Sequence, residues 1–139
     1  MNIVFTRRRS DDGFPLKETL VVMIIVGLLA SIAVPLFLDQ QKKSHDAATK
    51  SDVDAIAKLV AAHVSEYDAL PTVAVSGSTV SFDGKPADSL SEGVVLGALT
   101  GTDTDNWCIS ATHPAGDRAK VKGYKYTATE QKVEEGQCP

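Results

Sequence analysis

Cysteine is scarce in this chain of 139 residues: there are two, Cys108 and Cys138, and they do not form a C-x-x-C pair. That argues against a zinc site and against thioredoxin-like redox chemistry. No G-x-S-x-G, H-E-x-x-H or P-loop pattern occurs, so the sequence offers no constellation for nucleophilic, metalloprotease or nucleotide chemistry. No catalytic residue, metal or cofactor is expected. His45, His63 and His113 are far apart and lack metal-ligand spacing; His63 lies beside an apolar helical stripe and reads as packing or surface. Excess positive charge is also missing. The net charge is −4; three arginines and two aspartates give the first thirteen residues +1, so by difference the remainder carries −5. A mildly acidic chain is not a general nucleic-acid binder by charge.

What is present is one long uncharged run. From Leu20 to Leu38 no side chain is charged. About twenty helical residues span the ~30 Å of a bilayer core, which leaves roughly a hundred for a single small water-soluble head. Arg7, Arg8, Arg9 and Lys17 precede the run, so the positive-inside rule keeps the N-terminus cytoplasmic and puts the head outside. Lys42 and Lys43 on the far side weaken that bias without reversing it. Glu18 is the nearby acid, at the membrane edge, and a lone carboxylate there is costly without a partner. A secretory signal peptide competes with this reading: Ser31-Ile32-Ala33 has small-x-small character and the arginines look like a twin-arginine start. Against it, Asp11, Asp12 and Glu18 lie where a signal peptide is basic, and the run is long. An ordinary single-span anchor explains the length but not Gly13, Phe14 or Glu18.

Those residues carry a resemblance. Gly13, Phe14, Leu16, Glu18 and Leu20, followed by the apolar run, resemble the N-terminus of type IV pilins and related pseudopilins, whose signature is G|F-T-L-x-E-x-L. Gly27 and Pro35 fall where that family has a helix-weakening glycine and proline. The resemblance covers about 25 residues; the head shows only a general likeness. It implies that a membrane prepilin peptidase cuts after Gly13 and methylates the new amine of Phe14. The implied organisation is a cleaved leader (1–13), a transmembrane and filament-core helix (14–38) and an extracellular head (39–139). Glu18 is then the residue that neutralises the N-terminal amine of a neighbouring subunit during assembly. Further implied partners are copies of the chain in a helical filament, an assembly platform with its ATPase, and the membrane before assembly. Nucleic acid enters only through the function of such a filament.

Two positions depart from the pattern. Pro15 replaces the usual threonine, and proline suits a first helical turn because its missing N–H would be unpaired there. Lys17 replaces an apolar residue, placing a second cation beside Glu18. Within the span, Pro35 cannot donate to the carbonyl of Ser31, at a cost of a few kcal/mol, and Gly27 adds roughly 1 kcal/mol. A bend or local melting between them is expected in a filament, with a continuous helix left open for an isolated subunit.

Beyond Pro35 the helical period continues through Val53, Ile56, Ala57, Val60, Val64 and Tyr67, with Lys50, Asp54, Lys58 and Ser65 opposite. Pro71 ends the helix near residues 68–70. Val73/Val75 and Val80/Phe82 flank Gly77 as a hairpin. Leu90 to Leu99 is apolar but unassigned, while Trp107–Ala111 and Tyr124–Ala128 read as strands joined by a turn-rich stretch. The expected fold is α+β: a long N-terminal helix packed on a small antiparallel sheet. A single disulfide between Cys108 and Cys138 is the simplest account of two cysteines outside the cytoplasm, with two buried thiols as the alternative. It would stabilise the head by about 3–4 kcal/mol, and it resembles the disulfide-bounded loop of pilin heads. Asp103-Thr104-Asp105-Asn106 is a partial calcium-like run, but it lacks the glycine and distal glutamate of a full loop and reads better as a turn. The reading is a structural subunit of a type IV pilus-like filament. The alternatives are a pseudopilin of a secretion or DNA-uptake machine and a membrane-anchored binding module that never assembles.

Overall fold

A computed structural model describes residues 15–139; Gly13 and Phe14 lie outside the described residues. The first element, α1 (Leu16–Tyr67), contains Pro35. The chain divides into two compact units between Phe37 and Leu38.

In the first unit α1 opens directly after Pro15, whose carbonyl accepts from the N–H groups of Glu18 (2.8 Å) and Thr19 (3.3 Å). Proline fits this place because its carbonyl begins the ladder while its missing N–H is not called on. The helix is assigned through Gly27 and Pro35. The large apolar side chains from Leu16 to Phe37 are all at least half exposed. The helix is long and apolar enough to cross a membrane, with a mean hydropathy of 2.8 over its most apolar window.

The second unit holds the core. Val53, Ile56, Ala57 and Val60 of α1 are buried in one core with Val80, Phe82, Leu90, Val94, Trp107, Ile109 and Tyr126, and Thr49 is buried one turn before them. The three- and four-residue spacing of these α1 residues puts them on one helical stripe. Val64 packs at its margin. Tyr67, expected on the same stripe, is 59% exposed: it belongs to the last turn, where the helix is leaving the core. Asp68 then adopts φ +53° and its N–H returns to the Val64 carbonyl at 2.8 Å. This left-handed stop precedes Pro71.

Two antiparallel sheets follow, where the sequence led us to expect one. The first is β1 (Val73–Ser76), β2 (Thr79–Phe82) and β3 (Lys85–Ser89), in that order. The β1–β2 hairpin turns at Gly77 as expected, pairing Ser76 with Thr79. The unforeseen β2–β3 hairpin turns at Asp83-Gly84, both at positive φ, a dipeptide suited to such turns. The second sheet is built on β6 (Asn106–Thr112). Its one edge pairs with β4 (Val95–Leu96) and β5 (Thr100–Asp103); the other pairs with β7 (Tyr124–Thr127), which pairs with β8 (Val133–Glu135). The expected strands at 107–111 and 124–128 are β6 and β7. Between them lies a short helix, α2 (Arg118–Val121).

Two carboxylates of α1 hold loops onto the helix. Buried Asp46 accepts the backbone N–H of Arg118 through both oxygens (3.1 and 3.0 Å) and that of Ala119 at 2.9 Å. It thereby satisfies donors at the start of α2 that no intrahelical carbonyl can reach. Gly116 is required beside it: a Cβ there would lie 2.5 Å from Oδ1 of Asp46. Asp52 accepts the N–H of Ser91 at 2.7 Å and its hydroxyl at 3.0 Å. Cys108, in β6, is bonded to Cys138, with Cα atoms 5.8 Å apart and a separation of 30 positions in sequence.

Replacing both cysteines by serine is expected to lower the unfolding free energy of the head by about 3–4 kcal/mol, read from the urea midpoint under non-reducing conditions. Asp46→Ala strands two buried N–H groups and should cost about 2–3 kcal/mol; Asp46→Asn, which keeps an acceptor, should lose less. Equal midpoints for all three proteins would count against the clamp.

Candidate assembly site

The residues that the sequence singles out divide between the first turns of α1 and its apolar span. Lys17 and Glu18 both lie in the first turn and both are exposed. Consecutive residues on a helix point roughly 100° apart, so the two side chains do not face each other. Among the described residues neither takes part in an ion pair; the pairs formed lie from Asp39 onward. Gly13 and Phe14, the expected cleavage point and modified residue, fall outside the described residues.

Gly27 has no atom within 4 Å of the position its Cβ would occupy. Close packing within the chain therefore does not require glycine there. The hydroxyl of Ser31 donates to the Leu28 carbonyl at 2.7 Å, within the segment bounded by Gly27 and Pro35. Pro35 has no N–H, so the Ser31 carbonyl loses its usual helical donor. The two weaknesses thus lie eight residues apart, on a stretch of helix whose large apolar side chains are left exposed by the described residues.

In the head, the histidines serve structure. His113 is buried; its Nδ1 accepts the Ala115 N–H at 3.0 Å, which leaves Nε2 as the donor to the Glu92 carbonyl at 3.0 Å. His45 stacks on its ring, centroids 4.3 Å apart. His63 lies 3.3 Å from Asp83 and packs against Tyr67. Sequence spacing gives no sign of the His45–His113 pair, because the partners lie on α1 and at the end of β6. The Asp103–Asn106 run forms the β5–β6 turn, with Oδ1 of Asp103 accepting the Asp105 N–H at 3.1 Å. Among the described residues no three His, Cys, Asp or Glu side chains gather as a metal site.

Glu135 on β8 accepts from Lys122 at 3.2 Å and from the Arg118 guanidinium. These bonds, that of Lys122 first, hold its carboxyl below the ordinary carboxylate range. A depressed carboxylate stabilises the fold above its unfolded-state value and loses that contribution as pH falls through the folded one. The pair is exposed, so the effect is small. Glu135→Gln is expected to flatten the acid limb of a melting-temperature profile slightly and to leave unfolding at neutral pH within a few degrees of the parent. An unchanged acid limb would show that the pair contributes nothing.

No family model matches the chain, and no solved structure matches it. Curated relatives do. Over 66 residues the chain is 33% identical to the Type II secretion system core protein G of Klebsiella michiganensis, covering 48% of this chain and 46% of that protein. It is 32% identical to the protein of the same name from Pseudomonas aeruginosa over the same length and coverage. The Vibrio cholerae protein is 30% identical over 66 residues, 48% of this chain and 45% of that one. The chain thus spans about half the length of the curated relatives it matches. These homologues, and a long apolar N-terminal helix carrying antiparallel sheets, support the resemblance to the pilin and pseudopilin superfamily that the residues from Gly13 to Pro35 display.

Proposed function

We propose that this chain is a pseudopilin-like structural subunit of a type II secretion filament, acting by assembly and not by catalysis. The observation that carries the proposal is the similarity to Type II secretion system core protein G in several organisms. This corrects the balance struck from sequence, which leaned toward a surface pilus. In the proposed cycle, prepilin peptidase removes residues 1–13 at Gly13 and the amine of Phe14 is methylated. The chain waits in the inner membrane with its N-terminus cytoplasmic and its head outside. An assembly platform and its ATPase then draw the apolar part of α1 out of lipid and into a helical bundle of copies. Glu18 pairs there with the amine of a neighbouring Phe14. Opposite charges attract strongly in a low-dielectric core while either alone is penalised, so the pair favours one axial register.

The exposure of the span fits this reading. Its large apolar side chains are at least half exposed from Leu16 to Phe37, and either lipid or sister helices would cover them. Surface pili remain the second reading, favoured by the loop that the Cys108–Cys138 bond closes.

Loss of the chain from its host is expected to trap secreted proteins inside the cell envelope while surface pili persist. The reverse outcome, secretion intact and pili lost, selects the second reading. The mature protein should begin at Phe14 with one added methyl group, read by intact mass. Glu18→Ala should be processed normally yet fail to assemble; assembly at the parental level would instead leave a membrane-anchored module as the function.

A further inference from the structure

From Leu16 to Leu38 the charged side chains are Lys17 and Glu18 alone. Both are exposed in the first turn of α1, where the bond from the Glu18 N–H to the Pro15 carbonyl at 2.8 Å fixes the helical backbone. Lys17 shares a helical face with Leu20, Val21, Ile24 and Leu28; Glu18 shares the next with Val22, Ile25 and Leu29. Both faces are apolar and exposed below the first turn. A helix that buries one of them against an identical helix carries a charge into that contact, and the charge has to be met. Lys17 cannot meet the Glu18 of its own helix, because adjacent side chains diverge. The next acid along α1 is Asp39, at the far end of the span.

We infer that Lys17 is an intersubunit contact, its ammonium pairing with the Glu18 carboxylate of a second copy of this chain packed beside it. The partner follows from charge complementarity: within the span each copy offers one cation and one carboxylate, on faces roughly 100° apart, so one helix presents Lys17 where its neighbour presents Glu18. A carboxylate has about four lone-pair sites, enough to accept Lys17 together with the amine created at Phe14. The inference rests on the filament reading and refines it, since Glu18 then bridges two cations rather than neutralising one. Before assembly, the long stem of Lys17 lets its ammonium reach the headgroup layer.

The test uses the full-length chain in its own membrane, with the processed pool and the assembled fraction measured separately. Lys17→Leu is expected to be inserted and processed like the parent while its assembled fraction falls roughly tenfold, the size that loss of a close interfacial ion pair gives. Lys17→Arg, which keeps the charge, should restore most of that fraction. Full assembly of Lys17→Leu overturns the inference and leaves the filament reading intact. So does a defect confined to insertion or processing, which would mean that Lys17 acts on lipid. Failure of the parental chain to assemble removes the filament reading and this inference with it.

Discussion

A carboxylate drawn out of water has to be paired, and two carboxylates of this chain, Asp46 and Glu18, stand in different settings for that demand. Asp46 is met from within: the N–H groups of Arg118 and Ala119 close on both of its oxygens, 72 and 73 residues away in sequence. Much of the head's architecture depends on this contact. It fixes the turn that joins β6 to β7, demands the missing side chain of Gly116, and ties the second sheet to α1. Asp52 repeats the device one and a half turns further along, at Ser91. Glu18 stands in the other setting, on an apolar helix with its side chains uncovered. In the proposed function its counter-charge comes from a neighbouring chain. Under the proposed function, one physical rule leaves the head self-sufficient and the N-terminal helix dependent on company.

The choice between a surface pilus and a secretion filament turns on what each feature can discriminate. The segment from Gly13 to Pro35 is common to both, since the demands of lipid storage and bundle packing are the same. The Cys108–Cys138 bond reports an oxidising compartment, and a head outside the inner membrane meets that condition in either machine. It was therefore a weak reason to favour a pilus. The relatives are named for a type II secretion system, and the proposed function follows that name.

Much of the fold was legible because its signals are local. The 3.6-residue period delivered the buried stripe of α1, and Gly77 between alternating valines delivered the first hairpin. β3 was hidden although Asp83-Gly84 announces a tight turn: Lys85, Pro86 and Asp88 break the alternation, and every residue of the strand is exposed. β5 carries Gly101 and a register shift, and β8 is three residues long, both too brief for a pattern. The clamps were hidden for another reason. Periodicity registers apolar residues, so nothing in it marks Asp46 or Asp52, and their partners are 39 to 73 residues away. At the candidate site the motif and the departure at Lys17 could both be read from residue types; the structure adds that, among the described residues, neither Lys17 nor Glu18 takes part in an ion pair.

The span between Gly27 and Pro35 poses a last question of energetics. In lipid an unpaired backbone group costs several kcal/mol, so a helix stored there keeps its ladder even where propensity is poor. The assigned helix runs through both positions, and Gly27 meets no neighbour that would require glycine. Packing against the described residues therefore gives no reason for glycine there. What glycine and proline do together is lower the cost of opening a defined segment, by roughly 1 kcal/mol at the first and by a hydrogen bond already forgone at the second. That reduction has no consequence while hydrocarbon surrounds the helix, because opening would strand further carbonyls. It becomes usable when water or polar groups of neighbouring helices can take those carbonyls, as at the rim of a helical bundle. Under the proposed function such a subunit would keep its helix in the membrane and become deformable after leaving it, so the segment from Gly27 to Pro35 would serve storage first and compliance afterwards.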